Sequence, residues 1–346
     1  MKKILVAVLA IPLASGVALA SSADKKLDVY WVDVEGGAAT LFVTPAGESV
    51  LIDTGSAGGR DPQRIQAVAA KAGLKKLDHV VVTHFHTDHY GGLAELSKLI
   101  PIGTLHDHDL ATAPPEQGQD KGFAAYKAAA VEKREVIKPG EKLPLKQVAG
   151  AAPISMQFLG ALEKFVPLKG AKENAAACKD TTPHPLDTTD NKNSVVTLVS
   201  FGPFRMFDGG DTTWNTEKEL VCPKNKVGTV VDVYQADHHG LDQSNNPVLV
   251  KTLAPTVAVV NNGARKAGEP NTYATLKAQP TIKDIFQLHR NVRTTAAQNT
   301  DPAFIANSDE ACKANDVEMS VDPKGKSYTI SIPATALTRT YQTRNK

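Results

Sequence analysis

The run Thr83-His84-Phe85-His86-Thr87-Asp88-His89-Tyr90-Gly91-Gly92 constrains this chain more than any other stretch. It follows the apolar residues Val80, Val81 and Val82, a pattern that predicts a buried strand. Gly91-Gly92 and the apolar Leu93, Leu96 and Leu99 predict the start of a helix. The cluster therefore falls on a strand-to-helix turn, where its side chains can converge on one point. His84 and His86 are two residues apart, and extended backbone points such a pair to the same side. They are placed to share one metal ion, while Asp88 and His89, past the turn, are placed to bind a second. Neutral imidazole with ionised carboxylate suits zinc, and also manganese or iron. A polar loop that is His-rich by accident rarely falls into H-x-H-x-D-H order.

The 346 residues are enough for one large domain or two small ones. Lys2-Lys3, the apolar stretch Ile4–Leu13 and Ala18-Leu19-Ala20 read together as a signal peptide over residues 1–20. The expected product starts near Ser21 and is exported to the periplasm or the medium. No later stretch is apolar and long enough to cross a membrane. The formal net charge of +2 falls to zero once Lys2 and Lys3 are removed. A neutral protein exerts no overall pull on nucleic acid, although a local basic patch remains open. The three cysteines, Cys178, Cys222 and Cys312, allow one disulfide and one leftover thiol in an oxidising compartment. Their spacing leaves the pairing open and fits no metal site.

In chain order, Leu27–Glu35, Ala39–Thr44 and Ser49–Ile52 read as strands, the last ending in Asp53-Thr54-Gly55. Asp61-Pro62 is expected to open a helix as N-cap and first helical residue, and Gly73 to close it. The strand Leu77–Val82 then enters the ligand turn. A β-turn-β start followed by β-α-β fits one half of a sandwich. The expected fold class is therefore α/β, a four-layer αββα sandwich: a single domain over 21–346, with insertions around 106–150 and 160–190. Ile102–Leu105 reads as a strand running into His106-Asp107-His108-Asp109, either a solvated loop or part of the rim of the site. Ala111–Val131 reads as a loop and an amphipathic helix, a candidate lid, and Ala161–Asp190 as a long surface loop. Strands Asn193–Phe201 and Phe204–Phe207 lead to Asp208-Gly209-Gly210-Asp211, and Val230–Gln235 delivers Ala236-Asp237-His238-His239-Gly240. Thr256–Val260 runs to the loop Asn262-Gly263-Ala264-Arg265-Lys266. Ile285–Leu288 carries His289 at its end, and Val317–Ile332 reads as a closing hairpin turned at Pro323-Lys324-Gly325.

The H-x-H-x-D-H core resembles the signature of the metallo-β-lactamase superfamily. Asp33-Val34-Glu35-Gly36-Gly37, Leu51-Ile52-Asp53-Thr54-Gly55, Asn193-Ser194, Gly210-Asp211 and Ala236-Asp237-His238-His239-Gly240 together look like its ComEC/Rec-type branch, here as a stand-alone secreted relative. The resemblance implies one or two metal ions at the edge of two packed sheets. It makes His84, His86, Asp88, His89 and Asp211 ligands, with Asp211 bridging. The last ligand is His238 or His239, with His238 favoured. Asp53 would orient the ligand turn without binding metal, and Asp208 would be a turn residue. The chain departs from the pattern in three places. Ala38 stands where the branch has an acidic residue, and Glu269-Pro270 where it has His-Pro. Asn193-Ser194 stands where most of the superfamily has a third histidine on the first metal, His184 being the nearest histidine. Asn193 would then be a neutral ligand or a substrate contact, and a single bound metal stays open.

The resemblance implies hydrolysis by a metal-held hydroxide, with Asp88 and Asp211 catalytic. Phosphodiesters are the expected substrates. Lactone, thioester or β-lactam hydrolysis is the alternative within the fold, and a metal-binding homologue without activity is the non-enzymatic one. The missing third histidine counts against a zinc β-lactamase. Arg265 and Lys266 are either anion-binding residues at the rim or a solvated basic loop. The expected partner is a small molecule or short anion, and the sequence leaves the oligomeric state open.

Overall fold

The computed structural model describes residues 24–115, 121–179 and 184–345. The signal-peptide segment expected at residues 1–20 lies outside them. Two large sheets pack face to face. The first has nine strands in the order Leu337–Gln342, Ser327–Ile332, Val317–Val321, Leu27–Trp31, Thr40–Val43, Ser49–Ile52, Leu77–Val81, Ile102–Asp107 and Lys133–Val136. The second has eight, in the order Ile305–Asn307, Asp284–His289, Val257–Val260, Val233–Gln235, Phe204–Asp208, Val196–Phe201, Ile154–Ala161 and Lys164–Phe165.

Side chains alternate across a strand, and the alternation builds the layers. Leu27, Val29, Trp31, Val50, Ile52 and Val81 face the second sheet, where Phe201, Met206, Val233 and Phe286 belong to the same cluster. Tyr30, Leu41, Leu51, Val80 and Val82 face outward onto Ile65, Val68, Leu93 and Leu96 of the helices Arg60–Lys71 and Leu93–Leu99. On the far side, Phe207, Tyr234 and Ala258 pack under Leu220, Leu249, Leu253 and Leu276 of the helices Trp214–Val221, Pro247–Leu253 and Pro270–Ala278. This is the four-layer αββα arrangement expected. Among the described residues, no helix is long and apolar enough to cross a membrane.

Several local features differ from the sequence-based expectation. The first long helix begins at Arg60 after Gly59, so Asp61 is not its cap. Asp61 Oδ2 instead accepts from the Ser56 N–H at 2.8 Å and holds the preceding turn. The expected lid helix, observed as Lys121–Lys127, buries Phe123 and Tyr126 against Phe85 and Tyr90. It is part of the outer layer, with both aromatic side chains in the cluster between the first sheet and its helices. The long 161–190 loop is stapled by a Cys178–Cys222 disulfide to the end of the helix Trp214–Val221, and Cys312 is free. The closing hairpin gains a third strand, Leu337–Gln342, and its first strand pairs antiparallel with Leu27–Trp31.

A polar clasp crosses the core near the metal-binding end. Gln235 Oε1 accepts from Trp31 Nε1 and from Thr40 Oγ1, each at 2.8 Å, while Gln235 Nε2 donates to Asp208 Oδ2 at 3.0 Å. All four residues are buried. Removing one partner leaves the others without compensation, at about 1–3 kcal/mol per orphaned group. Gln235→Leu is therefore expected to lower the denaturant midpoint of unfolding by an amount equivalent to roughly 2 kcal/mol or more. A midpoint shift near zero would show that the clasp does not couple the sheets.

Candidate metal centre

Parallel strands of both sheets end on one side of the sandwich, and their carboxyl ends carry the chemistry. Ser49–Ile52, Leu77–Val81 and Ile102–Asp107 are parallel in the first sheet. Phe204–Asp208, Val233–Gln235, Val257–Val260 and Asp284–His289 are parallel in the second. In open α/β sheets this is where ligands bind. Asp53 follows the first of these strands, His84–His89 the second, Asp211 the fourth, and His238-His239 the fifth.

The ligand turn is packed too tightly for most side chains. A Cβ on Gly92 would lie 2.1 Å from the Thr54 carbonyl oxygen, and one on Gly37 would lie 2.7 Å from the Asp88 carbonyl oxygen. Asp53 sits beneath the turn. Its Oδ1 accepts from the Thr83 N–H at 2.8 Å, and its Oδ2 accepts from Thr83 Oγ1 at 2.8 Å and faces His89 Nδ1 at 2.8 Å. Asp53 therefore aims His89 Nε2 outward, away from itself.

Asp211 Oδ2 is the hub. It lies 3.1 Å from His89 Nε2, 3.3 Å from His238 Nε2, 3.4 Å from His239 Nε2 and 3.8 Å from His84 Nε2. His84, His86 and Asp211 form one group of converging donors, and Asp88, His89, Asp211 and His239 another. In the first, His84 Nε2 is 3.0 Å from His86 Nδ1. In the second, His239 Nε2 is 3.2 Å from His89 Nε2 and 3.3 Å from Asp88 Oδ2. Such separations are the edges expected around ions with ligand bonds of about 2.0–2.2 Å, so the donor set fits metal in type and spacing. The preference for His238 is corrected: His239 completes the second group. His238 also turns to Asp211, with its Nδ1 beside Gln243 Nε2 at 3.2 Å and Ser244 Oγ at 3.3 Å. Both histidines have left-handed backbone, φ 52° and 54°. A non-glycine residue in that region costs roughly 1–2 kcal/mol, and here the bend turns two successive rings to one carboxylate.

The electrostatics keep His84, His238, Asp88 and Asp211 in ligating form, whereas at His89 and His239 the pull of Asp211 outweighs burial and raises both above the ordinary imidazole pKa. Burial, then the neighbouring His89, hold His84 well below its ordinary pKa, so it is neutral. Burial takes His238 down to about 4. Burial alone would raise Asp88 and Asp211. Instead, His89, His239 and Lys266 depress Asp88, and His238, His239 and His89 depress Asp211, so both stay ionised. Asp208 is buried and ends the strand Phe204–Asp208 rather than lying in the turn; its Oδ1 accepts from the Gly210 N–H at 3.0 Å.

Two expected contacts fall elsewhere, and one polar cluster is buried. Asn193 does not take the place of a third histidine, because its Nδ2 donates to Asp190 Oδ1 at 2.8 Å. Arg265 faces outward in a two-pronged pair with Glu310, so only Lys266 reaches the centre, pairing with Asp88. His106, Asp107 and His108 are buried rather than solvated. His108 Nε2 meets Asp190 Oδ2 at 3.0 Å, and the same oxygen accepts from the Phe85 N–H at 2.6 Å, in the middle of H-x-H. Asp190 and His108 thus brace the ligand turn. Ser194 joins them, its Oγ accepting from the Asp211 N–H at 3.1 Å. Asp190 carried no spacing signal in the sequence; Ser194 entered only as part of the Asn193-Ser194 segment, and His108 as the third residue of a cluster leaving a strand.

Comparison with known proteins follows the same lines. Residues 32–158 match the family model described as the metallo-beta-lactamase superfamily. A ribonuclease Z from Archaeoglobus fulgidus is 38% identical over 69 residues, which cover 20% of this chain and 21% of that protein. The chain thus spans about a fifth of the length of the curated relative it matches. Among solved structures, a diphosphatase from the PhnP family is 12% identical over 85% of this chain and 98% of its own, with a TM-score of 0.39. CmlA, a diiron β-hydroxylase from Streptomyces venezuelae, is 14% identical over 68% of this chain and 44% of its own, with a TM-score of 0.38.

If Asp53 orients His89, Asp53→Ala should weaken metal binding by roughly 10- to 100-fold, the usual effect of losing such a support. Chelator competition on the folded variant measures this, and an affinity equal to that of the parent would remove the orienting role.

Proposed function

Starting from a metal-dependent hydrolase with the metallo-β-lactamase fold, we propose that this protein is an exported phosphodiesterase acting on small or short anionic substrates. The observation that carries the reading is Lys266, a cation set directly against the donor group at Asp88. An ammonium beside a hydrolytic centre favours an anionic group there. The segments shared with the ComEC/Rec-type branch point the same way, as does the stretch of likeness to a ribonuclease Z. The Cys178–Cys222 disulfide supports export, because such bonds persist in oxidising compartments.

His84, His86 and Asp211 would hold one ion, and Asp88, His89, Asp211 and His239 a second, with zinc favoured by the histidine-rich set and manganese or iron as alternatives. When bound, the ions supply Lewis acidity and lower the pKa of water. The chain's own residues do the rest. Asp211 sits between the two donor groups and fixes their spacing. Asp53 and Asp190 hold the turn that presents His84, His86 and His89. Lys266 receives the substrate's phosphoryl oxygen, and the ionised Asp88 carboxylate takes the proton of the attacking water. The water oxygen forms a bond to phosphorus as the bond to the leaving oxygen breaks.

The direct test is hydrolysis of bis(p-nitrophenyl) phosphate beside a lactone and nitrocefin, using protein of measured metal content. Turnover of the phosphodiester alone is expected. Turnover of only the lactone or nitrocefin would replace this reading with the carbonyl-ester alternative, and no turnover with full metal would favour a non-catalytic homologue. His86→Ala and Asp211→Ala should each abolish hydrolysis with the circular dichroism spectrum retained; normal turnover in either would overturn the site. Lys266→Ala should raise KM for phosphodiesters by roughly 10-fold or more, the worth of a charged hydrogen bond, and leave neutral esters less affected. An equal loss on both substrate types would refute the anion role.

A further inference from the structure

Beside the metal centre lies a pocket of about 270 Å³ whose walls are built from the same loops that carry the ligands. Thr213 and Trp214 follow Asp211 in the chain. The Trp214 N–H donates to the Gln243 carbonyl at 3.0 Å, and Gln243 Nε2 lies 3.2 Å from His238 Nδ1. On the other side, Asp187, Thr188 and Thr189 lead into Asp190, which clamps the H-x-H turn. The pocket therefore shares its walls with three sides of the centre.

Its lining is specific in chemistry. The rings of His184 and Trp214 stack with centroids 3.6 Å apart and planes 33° apart, forming one wall. Trp214 is fixed by its Nε1–H, which donates to the Ser244 carbonyl at 2.8 Å. The adjoining Leu186 is largely exposed and forms an apolar lip. None of the lining residues is Lys or Arg. Two lining polar atoms have no hydrogen-bond partner although they are shielded: Asp187 Oδ2 and Thr213 Oγ1. The first is telling, because Asp187 Oδ1 already accepts from the Thr189 N–H and Oγ1, each at 2.7 Å. The second oxygen is left as an open acceptor. A shielded polar group without a partner is costly, so both atoms call for a ligand that carries a donor.

A second phosphate would be repelled here by Asp187. An uncharged aromatic ring with an N–H on its edge would meet the ring wall and the open acceptor together. We propose that this pocket is the subsite for the base of a nucleoside-bearing phosphodiester. The base lies against the Trp214–His184 wall with its donor edge toward Asp187 Oδ2, while the phosphate reaches the centre and Lys266. This rests on the phosphodiesterase reading and names its substrate class.

The test compares thymidine 5′-(p-nitrophenyl phosphate) with methyl p-nitrophenyl phosphate, which lacks the base. The metal-loaded protein should show a higher kcat/KM on the nucleoside ester. Trp214→Ala should cut that preference by roughly 10-fold, as expected for losing one base-stacking partner. Asp187→Asn, a milder change, should also reduce it if Trp214→Ala fails to fold. A binding readout separates the pocket from the chemistry. Of the two tryptophans, Trp31 is fully buried in the core. Quenching of intrinsic fluorescence by thymidine monophosphate, beyond that by inorganic phosphate, therefore reports on Trp214 and should vanish in Trp214→Phe. Equal turnover of both esters with no such quenching would overturn the subsite and leave the phosphodiesterase reading standing. Saturable quenching without turnover of either ester would keep the subsite and overturn the reaction. Absence of both would overturn both.

Discussion

The centre depends on one buried carboxylate facing four imidazoles. Asp211 is ionised, nearly inaccessible, and within 3.8 Å of Nε2 atoms from His84, His89, His238 and His239. A buried charge is tolerated only when it is paired and hydrogen-bonded. The arrangement is therefore unstable unless the histidines are held around it, and most of the surrounding polar structure holds them. Asp53 and Thr83 fix His89, Asp190 fixes the Phe85 N–H between His84 and His86, and Ser194 fixes the backbone of Asp211 itself.

Those supports come from both sheets, which explains why the sandwich must be closed for the centre to exist. His84 to His89 leave a strand of the first sheet, whereas Asp211, His238 and His239 leave strands of the second. The Gln235 clasp links the two close by, tying Trp31 and Thr40 of one sheet to Asp208 at the start of the Asp211 turn. The left-handed backbone at His238 and His239 is stored in the same region. Strain of that kind persists where the surroundings over-determine the geometry.

The rim is asymmetric. Lys266 stands on one side against Asp88, and the cation-free pocket of Trp214, His184 and Asp187 opens on another. Arg265, its neighbour in sequence, is withdrawn into a surface pair with Glu310. A substrate with one charged and one uncharged, ring-bearing part matches that division.

The sequence by itself determined the strand-to-helix ligand turn and the layering of its elements, because hydrophobic period and motif order are local properties of the chain, while its resemblance to a known family pointed to Asp53, Asp211 and the His-His pair at strand ends. Tertiary structure alone decided between His238 and His239, since both follow the same strand and only the backbone twist says which ring meets Asp88 and His89. It also moved Asn193 and Arg265 out of the expected contacts, and it paired Cys178 with Cys222. It brought Asp190 and His108 together beneath Phe85 from positions 82 residues apart. The physical reason is the same in each case. A side chain's partner is set by which elements the core forces together, and a buried carboxylate such as Asp190 becomes a brace only when packing places unsatisfied donors from distant strands around it.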